Sequence, residues 1–332
     1  MAEDVNIVDP DMGSGYNYDS LFDWEAGEQA DIDTPGTIAV AKCRCTGGTA
    51  DTTGVTIDGW TTSAADYIKI WTDPAESYRH TGKWTTGNKY RLEPTGAQLL
   101  INEDYVRIYG LQIKTSLGSA NGVVRVIASY YDSSNIIIGY CYIHNTGQGA
   151  CIYGYYTTID VYNTVAYVAT NREDRADNSV VFGSTNCYIN LKNCTLIGNS
   201  VENGVNSSAV SCIIDCQNVI INGAENCMVG GARITGNYNL TSDATAVGAN
   251  SVINTTLTFV DAANQDYHLS ATDSAAIGAG TNLYAGGWQD DIDGDDRGGA
   301  AAAWDIGADE YVAVGGASIV PILLHQYRAR RQ

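Results

Sequence analysis

The chain has 332 residues, and its 38 Asp and Glu against 18 Lys and Arg give a formal charge of −20. That balance excludes non-specific nucleic-acid binding, where affinity comes mainly from basic groups displacing counterions from phosphates. Pro is scarce at 5, Gly, Asn, Ser, Thr and Tyr are abundant, and helical runs of Ala, Leu, Glu and Lys are nearly absent, which excludes a helical bundle and favours β structure with many turns.

The first residues, MAEDVNIVDPD, carry neither the basic region nor the apolar core of a secretory signal, so synthesis in a cytoplasm is expected. No run approaches the roughly 20 apolar residues of a membrane span. Within DSLFDWEAGEQADI, Asp19 or Ser20 can cap a short helix with Leu21, Phe22, Trp24 and Ala26 available to bury. Residues 1–35 thus form an acidic N-terminal segment whose short helix works as a lid on an open sheet end.

From residue 36 the strands TIAVAKCRC, GVTIDGW, YIKIWT, KYRL and QLLI lead into a regular series. The phrases VRIYGLQI from Val106, IIIGYCYI from Ile136, IDVYNTVAYV from Ile159, INLKNCTLI from Ile189 and IIDCQNVII from Ile213 start 30, 23, 30 and 24 residues apart. Apolar and polar residues alternate in each, and Gly110, Gly139, Asn163, Asn193 or Asn218 interrupts before a second apolar run. A period of two means strands, and a repeat of this length is one coil of a solenoid. The chain is therefore all-β, a right-handed parallel β-helix of roughly seven to nine coils. Its coils span 36–260, with a closing coil and cap over 261–314 and a Gly-hinged tail over 315–332.

The 9 cysteines sit mostly inside strand phrases, which suits small buried thiols stacked from coil to coil. No CxxC pair accompanies Cys43 and Cys45, so a zinc site there is not expected. His80, His144, His268 and His325 stand apart in the sequence and are expected as hydrogen-bonded structural residues. Trp60, Trp71 and Trp84 can either stack on sugar rings or cap the core.

The polar loop TNREDRADNS from Thr170 is the expected protrusion, and Glu173, Asp174 and Asp177 on it are the candidate catalytic carboxylates, with Asp160 and Asp215 on strands as others. A glycosidase needs two carboxylates about 5 to 9 Å apart. The ordered NTD, DD, GHG and RIK set of pectin hydrolases is absent, and the leaning is towards a protein that is not an enzyme. Asp291, Asp293 and Asp295 alternate in QDDIDGDDRG, which allows oxygen ligands to converge on calcium, yet position twelve of a helix-loop-helix calcium loop is Ala302. The same carboxylates can instead cap N–H groups of a tight turn and pair with Arg297. No other cofactor is expected. The tail presents Ile319, Ile322, Leu323, Leu324 and Tyr327 with Arg328, Arg330 and Arg331, a basic apolar segment suited to docking on a partner.

Asp291, Asp293, Gly294, Asp295 and Arg297, followed by DIGADEY from Asp305, resemble the closing segment of right-handed parallel β-helix repeat proteins of bacterial surfaces and phages. In the first third, VNIVDPDMGSGYNYDSLFDWEAGEQADI, CRCTGGTADTTGVTIDGW and EDYVRIYGLQI resemble proteins of tailed phages and uncultured viruses. The resemblance implies a structural part of a virion surface, such as a head decoration, fibre or spike, commonly a homotrimer bound to shell or tail proteins. Two alternatives stand beside it: a polysaccharide-degrading β-helix enzyme and a calcium-dependent bacterial surface module.

Overall fold

Each strand phrase bends once, and one residue in the left-handed region sets the bend. Asn163, Asn193 and Asn218 have φ of 45°, 50° and 55° inside the continuous strands Thr158–Val168, Tyr188–Gly198 and Ile213–Asn222. Asn is one of the few residues besides Gly that enter this region readily, and here the side chains of Asn163 and Asn218 bond distant parts of the chain. In two earlier coils the bend falls at Gly110 and Tyr140, so the break expected at Gly139 comes one residue later. Gly139 has a different role: a Cβ there would lie 2.7 Å from the ring of Tyr162, which covers its bare backbone.

The structure, a computed structural model, describes residues 2–95, 98–115, 125–130, 133–147, 149–169, 178–199, 203–287 and 289–313. It is a right-handed parallel β-helix with three faces. The bent phrases supply the first two as one 13-stranded sheet, and short strands between them form a 7-stranded sheet on the third. Coils stack in register, so that Ala41, Ile70, Ile108, Ile138, Val161, Leu191 and Cys216 form one inward row. Every member is fully buried or nearly so, and burying each Ile or Leu contributes about 1.5–3 kcal/mol. Gly236 closes the row because a Cβ there would meet the Cys216 carbonyl oxygen at 1.8 Å.

The second face is buried on both sides. Its outward row Tyr142, Val165, Thr195, Ile220 and Leu240 is covered by Leu257, Phe259, Tyr267, Leu269, Ile292 and Ile306. Alternation therefore vanishes from TVAYV, CTLIG and NVIIN, as it does in any sheet covered twice. The cap thus lies along the flank as well as over the last coil. Gly307 lies directly against this face: its N–H donates to the Asn218 carbonyl at 3.0 Å, and a Cβ would sit 2.5 Å from Ile220 Cδ1.

At the other end, strand Ala2–Val8, not foreseen from the sequence, pairs in parallel with Thr37–Cys43. Helix Leu21–Glu28 follows, and its first turn is capped by Ser20, whose Oγ accepts from the Asp23 N–H at 3.0 Å. Leu21 and Trp24 are buried as expected, but Phe22 and Ala26 face solvent. Glu25 is buried in their place, because Trp60 Nε1 donates to both its carboxylate oxygens at 2.9 and 3.0 Å and the Asp58 N–H adds a third bond. Burial still pushes this carboxyl up to about 7.

The cysteines stack between coils as expected, with one correction. Cys187 and Cys212, 25 residues apart, are joined in a disulfide, and seven others are buried thiols. The residues after this pair, Tyr188 and Ile213, are register partners, so stacking itself brings the two sulfurs together.

Candidate functional site

The cap covers the second face and leaves the outward residues of the first face partly exposed. Two outward rows run along the first face. One holds Lys69, Arg107, Ile137, Asp160, Asn190, Asp215 and Thr235; the other holds Trp71, Tyr109, Gly139, Tyr162, Lys192, Gln217 and Asn237. Stacking of identical strand positions makes each row straight, so a long ligand meets one chemistry per coil.

The half nearer the lid is aromatic and cationic. The Arg107 guanidinium lies 3.3 Å over Tyr67, and Lys69 Nζ lies 4.0 Å over Trp71. Tyr109 and Tyr162 have ring centroids 6.3 Å apart, and Tyr162 meets Tyr140 edge-on at 5.4 Å. Burial pushes the Tyr162 hydroxyl well above its ordinary range. The half beyond Tyr162 is polar. Asn190 Nδ2 donates to Asp160 Oδ1 at 3.0 Å, and Thr235 Oγ1 donates to Asp215 Oδ1 at 2.7 Å. Half-buried rings with polar edges thus adjoin amides and carboxylates along one face.

The three tryptophans have separated. Trp71 is on this surface. Trp60 is a core residue, buried in the lid and stacked on Trp24 at 5.5 Å. Trp84 packs against Tyr142 and His144 at 5.9 Å from each and meets Lys114 at 5.4 Å. Trp60 is thereby removed as a sugar contact. Tyr109, Tyr162, Asn190 and Lys192 were missed, although aligning VRIY, IIIG, IDVY and INLK would have shown Tyr109, Tyr162 and Lys192 as a fourth-residue column and Asn190 beside Asp160 in the second. Glu173, Asp174 and Asp177 lie outside the described residues, as do Ile319, Ile322, Leu323, Leu324, Tyr327, Arg328, Arg330 and Arg331 of the tail.

A second polar constellation lies in the cap. Asp291 is a turn residue: its Oδ1 accepts from the N–H groups of Asp293, Gly294 and Asp295 at 3.1, 2.9 and 2.8 Å, and its Oδ2 accepts from the Glu310 N–H at 2.9 Å. Arg297 pairs with Glu310 at 3.2 Å and not with the alternating Asp residues. His268, expected to stand apart, lies between Asp266 and Asp293. These carboxylates, together with Asp309, hold its imidazole as a cation against the opposing effect of burial, up to about 10.

His80 is hydrogen-bonded as expected, through Nε2 to the Tyr140 carbonyl at 2.8 Å and through Nδ1 from the Gly82 N–H at 3.2 Å. His144 is not: neither ring nitrogen has a hydrogen-bond partner, and Trp84 and Tyr167 enclose the ring. Burial, helped by the Lys114 charge, holds it down to about 3. The unfolded chain accepts a proton near pH 6.5 that the fold refuses, so stability is complete above that pH and falls as pH drops towards 3. Between pH 7.5 and 5 this one residue costs about 2 kcal/mol. Urea unfolding at both pH values should show a loss smaller by that amount in His144→Phe than in the parent.

No family model matches the chain, and no curated protein matches it. Among solved structures it is similar to the crystal structure of pectate lyase Pel9A, at 12% identity over 94% of this chain and 97% of that one, with a TM-score of 0.41. A likeness at this level bears on neither substrate nor activity. No helix among the described residues is long and apolar enough to cross a membrane.

Proposed function

We propose that this protein is a non-enzymatic structural component of a virion surface, a rigid shaft that contacts glycans through the outside of its first face. The observation that carries the glycan reading is the in-register run of Trp71, Tyr109 and Tyr162 followed by Asp160, Asn190, Asp215 and Lys192. The resemblance of the first third to tailed-phage proteins supports the virion, and the homotrimer and the docking tail rest on the same resemblance and on the tail's composition. Binding to a panel of immobilised bacterial polysaccharides tests the surface. Tyr109→Ala and Trp71→Ala should each weaken retention about tenfold with the β-sheet circular dichroism unchanged, since stacking of a base on an aromatic ring is worth roughly 1–3 kcal/mol and the apolar face of a sugar makes the same kind of contact. Retention of no polysaccharide at all would sink the glycan contact.

A second reading has one observation behind it. Asp160 and Asp215 share a row with Asn190 between them, so they stand two strand spacings apart, about 9.6 Å. That is at the outer edge of the separation, about 6.5–9.5 Å, at which one carboxyl protonates a glycosidic oxygen and the other activates water. New reducing ends from any polysaccharide, abolished in both Asp160→Asn and Asp215→Asn, would replace the structural reading with this one.

A further inference from the structure

The cap brings together three potential ligands from separate stretches of chain. The ligating atoms of His268, Asp293 and Asp309 all lie within 4.8 Å of one another. His268 is oriented from behind: its Nδ1 bonds the Asp266 carboxylate, which Lys83 holds at 2.9 Å. A carboxylate behind an imidazole is the usual outer partner of a metal-bound histidine, because it fixes the ring with Nε2 forward, and a metal arriving there displaces the proton that Nε2 carries in the metal-free cap. Here Nε2 is fully buried, makes no hydrogen bond, and lies 3.5 Å from Asp293 Oδ2. Backbone forms the wall beside it, since a Cβ on Gly82 would come within 2.2 Å of that nitrogen. Asp309 gives one oxygen to the Leu269 N–H at 2.7 Å. Among the described residues neither Asp293 nor Asp309 forms an ion pair with Lys or Arg.

We propose that His268 Nε2, Asp293 and Asp309 bind a divalent cation of the zinc or manganese class, which clips three segments of the cap together. An imidazole nitrogen in the ligand set selects such a metal over calcium, whose ligands are oxygens. Asp291, one of the three residues that the alternating pattern offers to calcium, already accepts four backbone N–H groups. The site therefore shares only Asp293 with that pattern.

The test uses the full chain without a histidine tag, treated with chelator, dialysed, and titrated separately with Zn2+, Mn2+ and Ca2+ by calorimetry and thermal melting. The chain's 4 histidines keep the stoichiometry clean. One ion of Zn2+ or Mn2+ per chain should bind and raise the melting temperature, because a ligand held only by the folded state at 100 times its dissociation constant favours that state about 100-fold. Asp309→Asn, which keeps an oxygen for Leu269, and His268→Gln should each weaken binding at least tenfold. Asp295→Asn should leave it unchanged. Failure to bind either ion stoichiometrically, full binding in both the Asp309 and His268 variants, or a response confined to Ca2+ and lost in Asp295→Asn would each overturn the proposal.

Discussion

Asn218→Ala is expected to destabilise the protein by about 3–5 kcal/mol and to loosen the cap from the solenoid. The Asn218 Nδ2 donates to Asn193 Oδ1 at 2.9 Å and to the Thr281 carbonyl at 2.8 Å, while its Oδ1 accepts from the Thr281 N–H at 2.8 Å. Asn218 is fully buried, so truncation leaves Asn193 Oδ1 without a donor where water does not reach, at roughly 1–3 kcal/mol, while the N–H and carbonyl of half-buried Thr281 regain water at a smaller cost. Ala must also hold a left-handed φ of 55°, which adds about 1–2 kcal/mol for a residue with no polar side chain to bond locally. The loss should appear as a lower urea midpoint together with binding of a hydrophobic dye below the transition, as the row of Tyr142, Val165, Ile220 and Leu240 becomes accessible. A midpoint within about 0.5 kcal/mol of the parent would show that the corner amide is dispensable.

Arg297→Met is the second large effect, about 3–5 kcal/mol. Arg297 is 1% exposed, and its NH2 group donates to the Gly307 and Ala308 carbonyls at 2.9 and 2.7 Å while NH1 meets Glu310 Oε2 at 3.2 Å. Met fills much of the same volume but leaves Glu310 without its cation and two carbonyls without a donor, the circumstance in which breaking a buried pair is costly. The double variant Arg297→Met with Glu310→Gln should recover part of the loss, because the uncompensated charge goes with it. Equal destabilisation in the single and double variants would place the whole effect on the carbonyls.

The coils were legible because their signal is repetition. Val106, Ile136, Ile159 and Ile189 are each the first inward residue of a first-face stretch, and period-two alternation survives there because one side meets solvent. The fifth phrase was set one residue early: Ile213 is 43% exposed and Ile214 is the inward residue. The third face left almost no trace, since Asn203–Ser207, sequence NGVNS, and Ser179–Gly183 carry no alternation and owe their extended form to the neighbours they pair with. The second face misled for the opposite reason, its outward side being buried by a segment more than a hundred residues away in sequence from Tyr142. Candidate site residues fared by the same rule. Trp71 could be placed because it belongs to a strand phrase, whereas the approach of His268 to Asp293 and Asp309 depends on how the cap folds over the flank, which no local pattern encodes.

The path of the cap also decides how the molecule comes apart. In a plain solenoid each coil touches only its neighbours, so an end frays and unfolding propagates coil by coil. Here the cap bonds Asn163 through the Asp290 carbonyl at 2.7 Å, Thr195 through the Ala308 N–H at 3.0 Å and Asn218 through Thr281, residues of three successive coils. A splint across several rungs links their fates: none of these coils can melt without releasing the same strap from the others. These three coils and the cap are therefore expected to open as a single cooperative unit, their amides sharing one free energy of opening in hydrogen exchange instead of a gradient running inward from the end.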